Sequence, residues 1–194
     1  MTTQTLLSIE QFAAMPESKG RSELLDSAFF KRGPTTIRHG RSRFNILMAL
    51  NDWIKAGAGG EVSFSAGFVI RGRPNTVRTA DVAYIADPTS PLECGYWTEA
   101  PRLFVDVIGS DADGGDYLQD KIWDIMDMTD DSLFWIVSLK NREVYRYTND
   151  PGGRRFTEDD VITDELLPGL VLPVATIFSR KPNLLLDQTK NATN

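Results

Sequence analysis

The pattern of apolar and polar positions divides the chain into short strands with two helical stretches among them. Near the start, Ser8-Ile-Glu-Gln11 has the form of a capping box, in which serine and glutamine satisfy the free N–H groups of a helix start. Phe12, Ala13 and Met15 give that short helix an apolar side, and Pro16 ends it. Arg21 to Asp26 leads into Ala28-Phe-Phe30, read as a first strand, and Lys31-Arg-Gly-Pro34 reads as a turn. The longest helical pattern runs from Thr36 to Ala56, with Phe44, Leu47, Leu50 or Asn51, and Ile54 recurring at spacings of three and four. Gly57-Ala-Gly-Gly60 stops it.

Strands dominate the rest. Glu61 to Ile70 alternates early and reads as one strand, Arg71 to Asn75 as a turn, and Val77 to Ala86 as a strand containing Asp81-Val-Ala-Tyr-Ile85. Arg102 to Ile108 is apolar on both faces apart from Asp106, the mark of a central strand. Tyr117 to about Met128 predicts a second helix with Leu118, Ile122 and Ile125 on its buried side. Asp116, Asp120, Asp124 and Asp127 fall opposite, and Lys121 at the edge of the buried stripe. Ser132–Val137 and Glu143–Tyr147 predict a strand pair joined through Leu139–Arg142, and Leu166–Pro173 a last extended element before a polar tail from Pro182. With no repeat and no linker, one α/β domain over residues 1–180 is the expectation.

Composition narrows the class. A hydrophobic fraction of 41% and a charged fraction of 25% exclude disordered and fibrous proteins. A domain of this length buries about 70% of its unfolded surface, enough for a core without cross-links. The single cysteine, Cys94, allows no intrachain disulfide and fits a reducing compartment, so a cytoplasmic location is expected. No apolar run approaches the ~20 residues of a membrane span. The formal net charge of −6 argues against a general coating of nucleic acid, but its distribution is uneven. Residues 19–78 carry eleven Lys/Arg against four acids, a balance of +7, whereas residues 79–194 carry ten against twenty-one, a balance of −11. Such asymmetry is a hint of nucleic-acid contact.

The chemistry candidates follow from what is scarce. One histidine, His39, and one cysteine cannot build a thiolate or His-rich zinc site. There is no Gly-x-Ser-x-Gly elbow and no phosphate loop with its lysine. Asp111 to Asp116 fails as a calcium loop, because Gly115 and Ile122 stand where oxygen ligands belong. What remains is carboxylates on strands with a lysine nearby. Asp106 interrupts an apolar run, where a charge is costly unless paired or metal-bound. With Asp81 on a neighbouring strand it could hold Mg²⁺. Lys121 is the only basic residue among nine aspartates between Asp106 and Asp131. Equally open is a plain reading in which Lys121 snorkels and Asp106 pairs with Arg102 or Arg78.

At these residues the chain resembles the Uma-two family of restriction-endonuclease-like proteins, within the PD-(D/E)XK nuclease superfamily. The resemblance rests on Thr79 to Ile85, Ala100 to Ile108, Lys121 and Trp135-Ile-Val137. It extends to Leu7–Phe12, Glu23-Leu-Leu-Asp26, His39-Gly-Arg41 and Leu167–Pro173, and so covers about residues 5–178. It implies a restriction-endonuclease-like core, an α+β arrangement of a mixed sheet flanked by helices. The implied activity is DNA phosphodiester hydrolysis with Mg²⁺ or Mn²⁺ on an acidic pair, and two-strand cutting favours a homodimer. Carried over by position, Asp81 and Asp106 are the metal-binding acids, Lys121 the lysine placed on the following helix, and Glu23 an acid that completes the catalytic set. His39 is an implied contact to substrate. Read from charge and position, Arg38, Arg41 and Arg43 around the long helix and Arg71, Arg73 and Arg78 flanking the Asp81 strand are candidate phosphate contacts.

Three departures bear on activity more than on fold. Asp106 is one methylene shorter than the usual glutamate, Ile108-Gly-Ser110 replaces Ser-Pro after it, and Asp26-Ser-Ala28 replaces Asp-Gly-Glu. A catalytically degenerate binding module on the same fold, and a hydrolase of small phosphoesters, are the alternatives.

Overall fold

The computed structural model describes residues 6–16, 21–33, 35–88, 95–109, 115–149 and 153–180; Pro34, Cys94, residues 111–114 and the tail lie outside them. Helix α1 (Ile9–Ala14) forms as its capping box predicts. Ser8 Oγ accepts from the Gln11 N–H, and the Gln11 side chain accepts from the Ser8 N–H at 2.8 Å. The strand expected at 28–30 proves to be the second half of a hairpin, in which β1 (Ser22–Leu25) pairs antiparallel with β2 (Ala28–Lys31). Its turn, Asp26-Ser27, has positive φ at both residues (48° and 70°), as a two-residue turn matching the strand twist requires. Asp-Ser lacks the Asn-Gly signature of such turns, which is why the pattern left β1 as a lead-in.

Helix α2 (Ile37–Trp53) starts at Thr36, whose side chain accepts from the His39 N–H, and ends in a π turn (Ile54–Ala58). Its buried face is not the expected stripe. His39, Ser42, Asn45, Ile46 and Leu50 point inward, whereas Phe44 is 44% exposed. The reason is that three inward positions are polar, two of them, His39 and Asn45, with fixed partners, so apolar periodicity alone indicates the wrong rotation. Asn45 Nδ2, for example, donates toward the carbonyls of Thr176, Ile177 and Ser179 at 3.0–3.2 Å, closing the end of the last helix.

The two long strands expected next each break in the middle. β3 (Glu61–Phe64) pairs with β6 (Val82–Ile85), and β4 (Gly67–Val69) with β5 (Val77–Thr79), as one bent hairpin. The bend falls at Ser65, with φ 50°, and opposite it at Ala80-Asp81. Beyond the bend, β4 and β5 complete a four-stranded sheet ordered β2-β1-β5-β4. A Cβ on Gly67 would stand 2.6 Å from the Tyr96 ring, so the strand past the bend needs glycine there.

On the other side, β3 and β6 join β7 (Leu103–Ile108), β8 (Leu133–Ser138), β9 (Glu143–Tyr147) and β10 (Arg154–Phe156) in a mixed sheet ordered β10-β9-β8-β7-β6-β3. β7 and β8 are parallel, so a crossover must link them, and α3 (Gly115–Met126) is that crossover. The period-2 alternation of the strands then sorts two cores. Leu103, Val105, Val107 and Trp135 pack with Ile46 and Leu50 of α2, together with β11 (Val161–Asp164), β12 (Leu167–Pro173) and α4 (Val174–Phe178). Phe104, Phe134 and Ile136 pack with Leu118, Ile125 and Met126 of α3. The architecture is the expected mixed-sheet α+β arrangement. No helix among the described residues is long and apolar enough to cross a membrane.

Candidate active site

Alternation along β7 puts Asp106 on the α3 side of the sheet, beside Phe104, and Lys121 descends onto it from α3. Glu23, Asp81, Asp106 and Lys121 are all fully buried. Lys121 Nζ lies 2.6 Å from Asp106 Oδ2, 2.7 Å from Glu23 Oε1 and 2.8 Å from the Thr79 carbonyl, and 5.0 Å from the Phe104 ring centroid. Its three N–H bonds are thus matched by three acceptors. Glu23 arrives from β1 and accepts from the Thr79 N–H at 3.1 Å, from the Tyr117 hydroxyl at 2.8 Å and from Arg78 Nη1 at 3.1 Å. Burial raises the Glu23 carboxyl, but Lys121, Arg78 and Arg32 outweigh it and hold it below the usual glutamate range.

Arg78 also donates to Asp124 Oδ2 at 2.6 Å, and Arg73 to Asp124 Oδ1 at 2.8 Å. Asp124, expected on the solvated face of α3, is therefore buried. The helix turns its Lys121–Asp124 edge inward because counter-charges await both. The same contacts correct the expectations for the arginines. Asp106 pairs with neither Arg102 nor Arg78; Arg102 faces Asp131 at 3.5 Å. Arg78, expected from its position as a phosphate contact, is 2% exposed and enclosed between two acids.

Asp81 sits at the seam where the bent hairpin passes between sheets. Its Oδ2 accepts from the Val107 N–H at 2.8 Å and lies 3.1 Å from His39 Nε2, which is also 3.0 Å from the Val107 carbonyl. Two acceptors around Nε2 require that nitrogen to carry a proton. Arg21 Nε stands 3.3 Å and Arg43 Nε 3.7 Å from Oδ1, which accepts no hydrogen bond among the described residues. Burial raises the Asp81 carboxyl, but His39, Arg32 and Arg21 hold it well below the ordinary aspartate range.

Arg32 links the two aspartates. Nη1 is 3.1 Å from Asp106 Oδ1, and Nη2 is 3.8 Å from Asp81 Oδ2. Burial disfavours its charge, but Asp106 and Asp81 more than compensate and raise its affinity for the proton. Arg21, Arg32, Tyr117 and Asp124 were not singled out as site residues by the sequence pattern, whereas Arg43 was expected as a phosphate contact and instead lies against Asp81. The two-residue turn at Asp26-Ser27 sets the register that places Arg21 opposite Arg32, whose N–H donates to the Arg21 carbonyl at 2.9 Å.

These groups form the floor and wall of a cavity of about 400 Å³ lined by Arg21, Arg32, His39, Asp106 and Tyr117 among others. Arg41 is not among them. It lies with Arg38, Arg142 and Arg180 around a smaller cleft of about 120 Å³, and Leu139 lines both cavities. Arg142 pairs with Glu158 and packs over Phe178. Arg38, Arg41 and Arg180 make no ion pair among the described residues.

No cluster of three or more His, Cys, Asp or Glu side chains among the described residues is arranged to hold a metal ion. The donors that suit a hard divalent ion are Asp81 Oδ1, buried without a hydrogen bond, Asp106 Oδ1 and the Val107 carbonyl. Their chemistry fits Mg²⁺ or Mn²⁺, but Arg32 lies against both carboxylates that such an ion would share.

No curated protein matches the chain. Among solved structures, a "putative nuclease belonging to DUF820" from Anabaena variabilis ATCC 29413 is similar, with a TM-score of 0.72 over 89% of this chain and 97% of that one. At 13% identity, that likeness shows the fold. The family described as "Uma2: Putative restriction endonuclease" matches residues 9–175, nearly the whole chain, and this protein belongs to that family.

Proposed function

We propose that this protein is a divalent-metal-dependent endonuclease acting on DNA, with Asp81, Asp106, Lys121 and Glu23 as its site. The observation that carries the proposal is that Lys121 meets Glu23 and Asp106, and Arg32 meets Asp106 and Asp81, beside a cavity that Asp106, Arg21 and Arg32 line. Asp81 and Asp106 would hold the ion, which supplies an activated water and neutralises charge on the phosphate. Arg21 and His39, on the cavity wall, bind and orient the scissile phosphodiester. Lys121 has every N–H engaged by the protein, so it positions Asp106 and Glu23 and helps hold the Glu23 carboxyl below its ordinary range. The cleft with Arg38, Arg41 and Arg180 takes the flanking backbone phosphates, which suits a polymer better than a small phosphoester. Two copies acting on the two strands belong to the same proposal.

Plasmid and linear DNA incubated with Mg²⁺ or Mn²⁺ test it, beside Asp81→Ala. Cleavage by the wild type and none by the variant is expected. Cleavage equal in both, or absent across metals and substrates, refutes it. A second reading, a DNA-binding member without hydrolysis, is favoured by one observation: each acid of the trio already contacts the chain's own cations. It predicts DNA binding that survives Asp106→Ala.

A further inference from the structure

We propose that the Arg32 guanidinium is this chain's built-in counter-cation for the Asp81–Asp106 pair, and that a divalent ion enters the site only by displacing it. The inference rests on the metal-dependent reading above. It starts from position: among the described residues Arg32 is the one cation within 4 Å of both aspartates, 3.1 Å from Asp106 and 3.8 Å from Asp81. A guanidinium does not lose its proton in proteins, so this competitor cannot be removed by neutralisation and has to move.

Charge argues the same way. Glu23, Asp81 and Asp106 are three acids, and among the described residues five arginine and lysine cations, Arg21, Arg32, Arg43, Arg78 and Lys121, lie within 4 Å of one of them. The centre is therefore already neutralised and does not attract a dication. With Arg32 withdrawn, Asp106 Oδ1 becomes free for an ion beside Asp81 Oδ1, which accepts no hydrogen bond among the described residues. Of these cations, Arg32 is the one that both touches the two aspartates and lines the cavity of about 400 Å³. Its backbone N–H is fixed to the Arg21 carbonyl and its Nη1 also donates to the Thr79 carbonyl at 3.3 Å, so displacement breaks that bond and swings only the side chain into the cavity. Lys121 is fully enclosed, and Arg43 is tied to Ser65 and to the Asp81 carbonyl. A phosphate in the cavity would offer the displaced guanidinium a bidentate partner, so substrate and ion would enter together.

Mn²⁺ titration by calorimetry, with thermal melts in chelator and in Mn²⁺, tests the inference on wild type, Arg32→Met, Arg32→Lys and Arg32→Met/Asp81→Asn. Removing a unit charge this close should tighten Mn²⁺ binding at least about tenfold in Arg32→Met. Arg32→Lys, which keeps the charge but loses the fork that spans both acids, should lie between. The double variant should lose the gain. Arg32→Met should melt lower than wild type in chelator and gain more from Mn²⁺. If Arg32→Met does not fold, Arg32→Lys must still bind Mn²⁺ more tightly than wild type. Equal or tighter Mn²⁺ binding by the wild type overturns the inference. Tight binding by the variants with no cleavage of plasmid by any form sinks the nuclease reading and leaves the inference standing.

Discussion

Lys121→Met is the sharpest probe of how this interior is held together. Methionine matches the length of lysine, so no cavity opens and the change is almost purely electrostatic. Three charge-assisted contacts disappear at a position with no solvent exposure: to Asp106 at 2.6 Å, Glu23 at 2.7 Å and the Thr79 carbonyl at 2.8 Å. Removing one partner of a buried ion pair costs about 3–5 kcal/mol. Arg78 and Tyr117 still hold Glu23, and Arg32 still holds Asp106, so the lower end, about 3 kcal/mol, is expected. For a chain of this size that is a fall in Tm of about 6–12 °C. Urea unfolding followed by tryptophan fluorescence measures it, since Trp135 is fully buried. The deficit should also shrink as pH falls. Lys121 is foremost among the charges that overcome the effect of burial on Glu23, so without it Glu23 takes up a proton at higher pH and sheds the uncompensated charge. Asp106→Asn combined with Lys121→Met should cost less than the two singles together, by at least about 1 kcal/mol. A loss under about 1 kcal/mol at pH 7, or one unchanged between pH 7 and pH 5, refutes the reasoning.

Three further outcomes are expected. Asp81 and Glu23 are held below their ordinary values of 3.8 and 4.5, so their stabilisation is complete above about pH 5 and lost as pH falls through and below those values. Tm measured from pH 7 to pH 3 should drop on the acid side, and a flat profile contradicts this. Gly60→Ala should destabilise strongly, because a Cβ there meets the Ile85 carbonyl at 2.5 Å and the residue has φ +79°; denaturant midpoints read the loss. Arg41→Ala should weaken binding to DNA of any sequence and lower the salt dependence by about one counterion, measured by fluorescence anisotropy at several salt concentrations.

What the pattern of residues determined was the central frame. The apolar run at 103–108 could only be an interior strand, the capping box at Ser8 could only open a helix, and Lys121 had to lie near the buried side of α3. That Asp106 needs a partner was legible for the same reason, since a charge inside an apolar segment is costly unless paired; that Lys121 is this partner was not. The continuity of strands and the facing of polar residues were decided by the tertiary structure. Residues 61–70 and 77–86 read as two strands because their alternation does not register a bend, yet the bend at Ser65 and Asp81 divides them between two sheets and puts Asp81 at the seam. His39, Asn45 and Asp124 are buried because partners distant in sequence are waiting: the Val107 carbonyl, the carbonyls ending α4, and Arg78 with Arg73. Arg32 shows the difference most plainly. In the sequence it is one more basic residue beside a turn. Only the hairpin register and the approach of β6 and β7 make it the cation within reach of both aspartates, because Coulomb attraction depends on distance in space, which apolar periodicity does not encode.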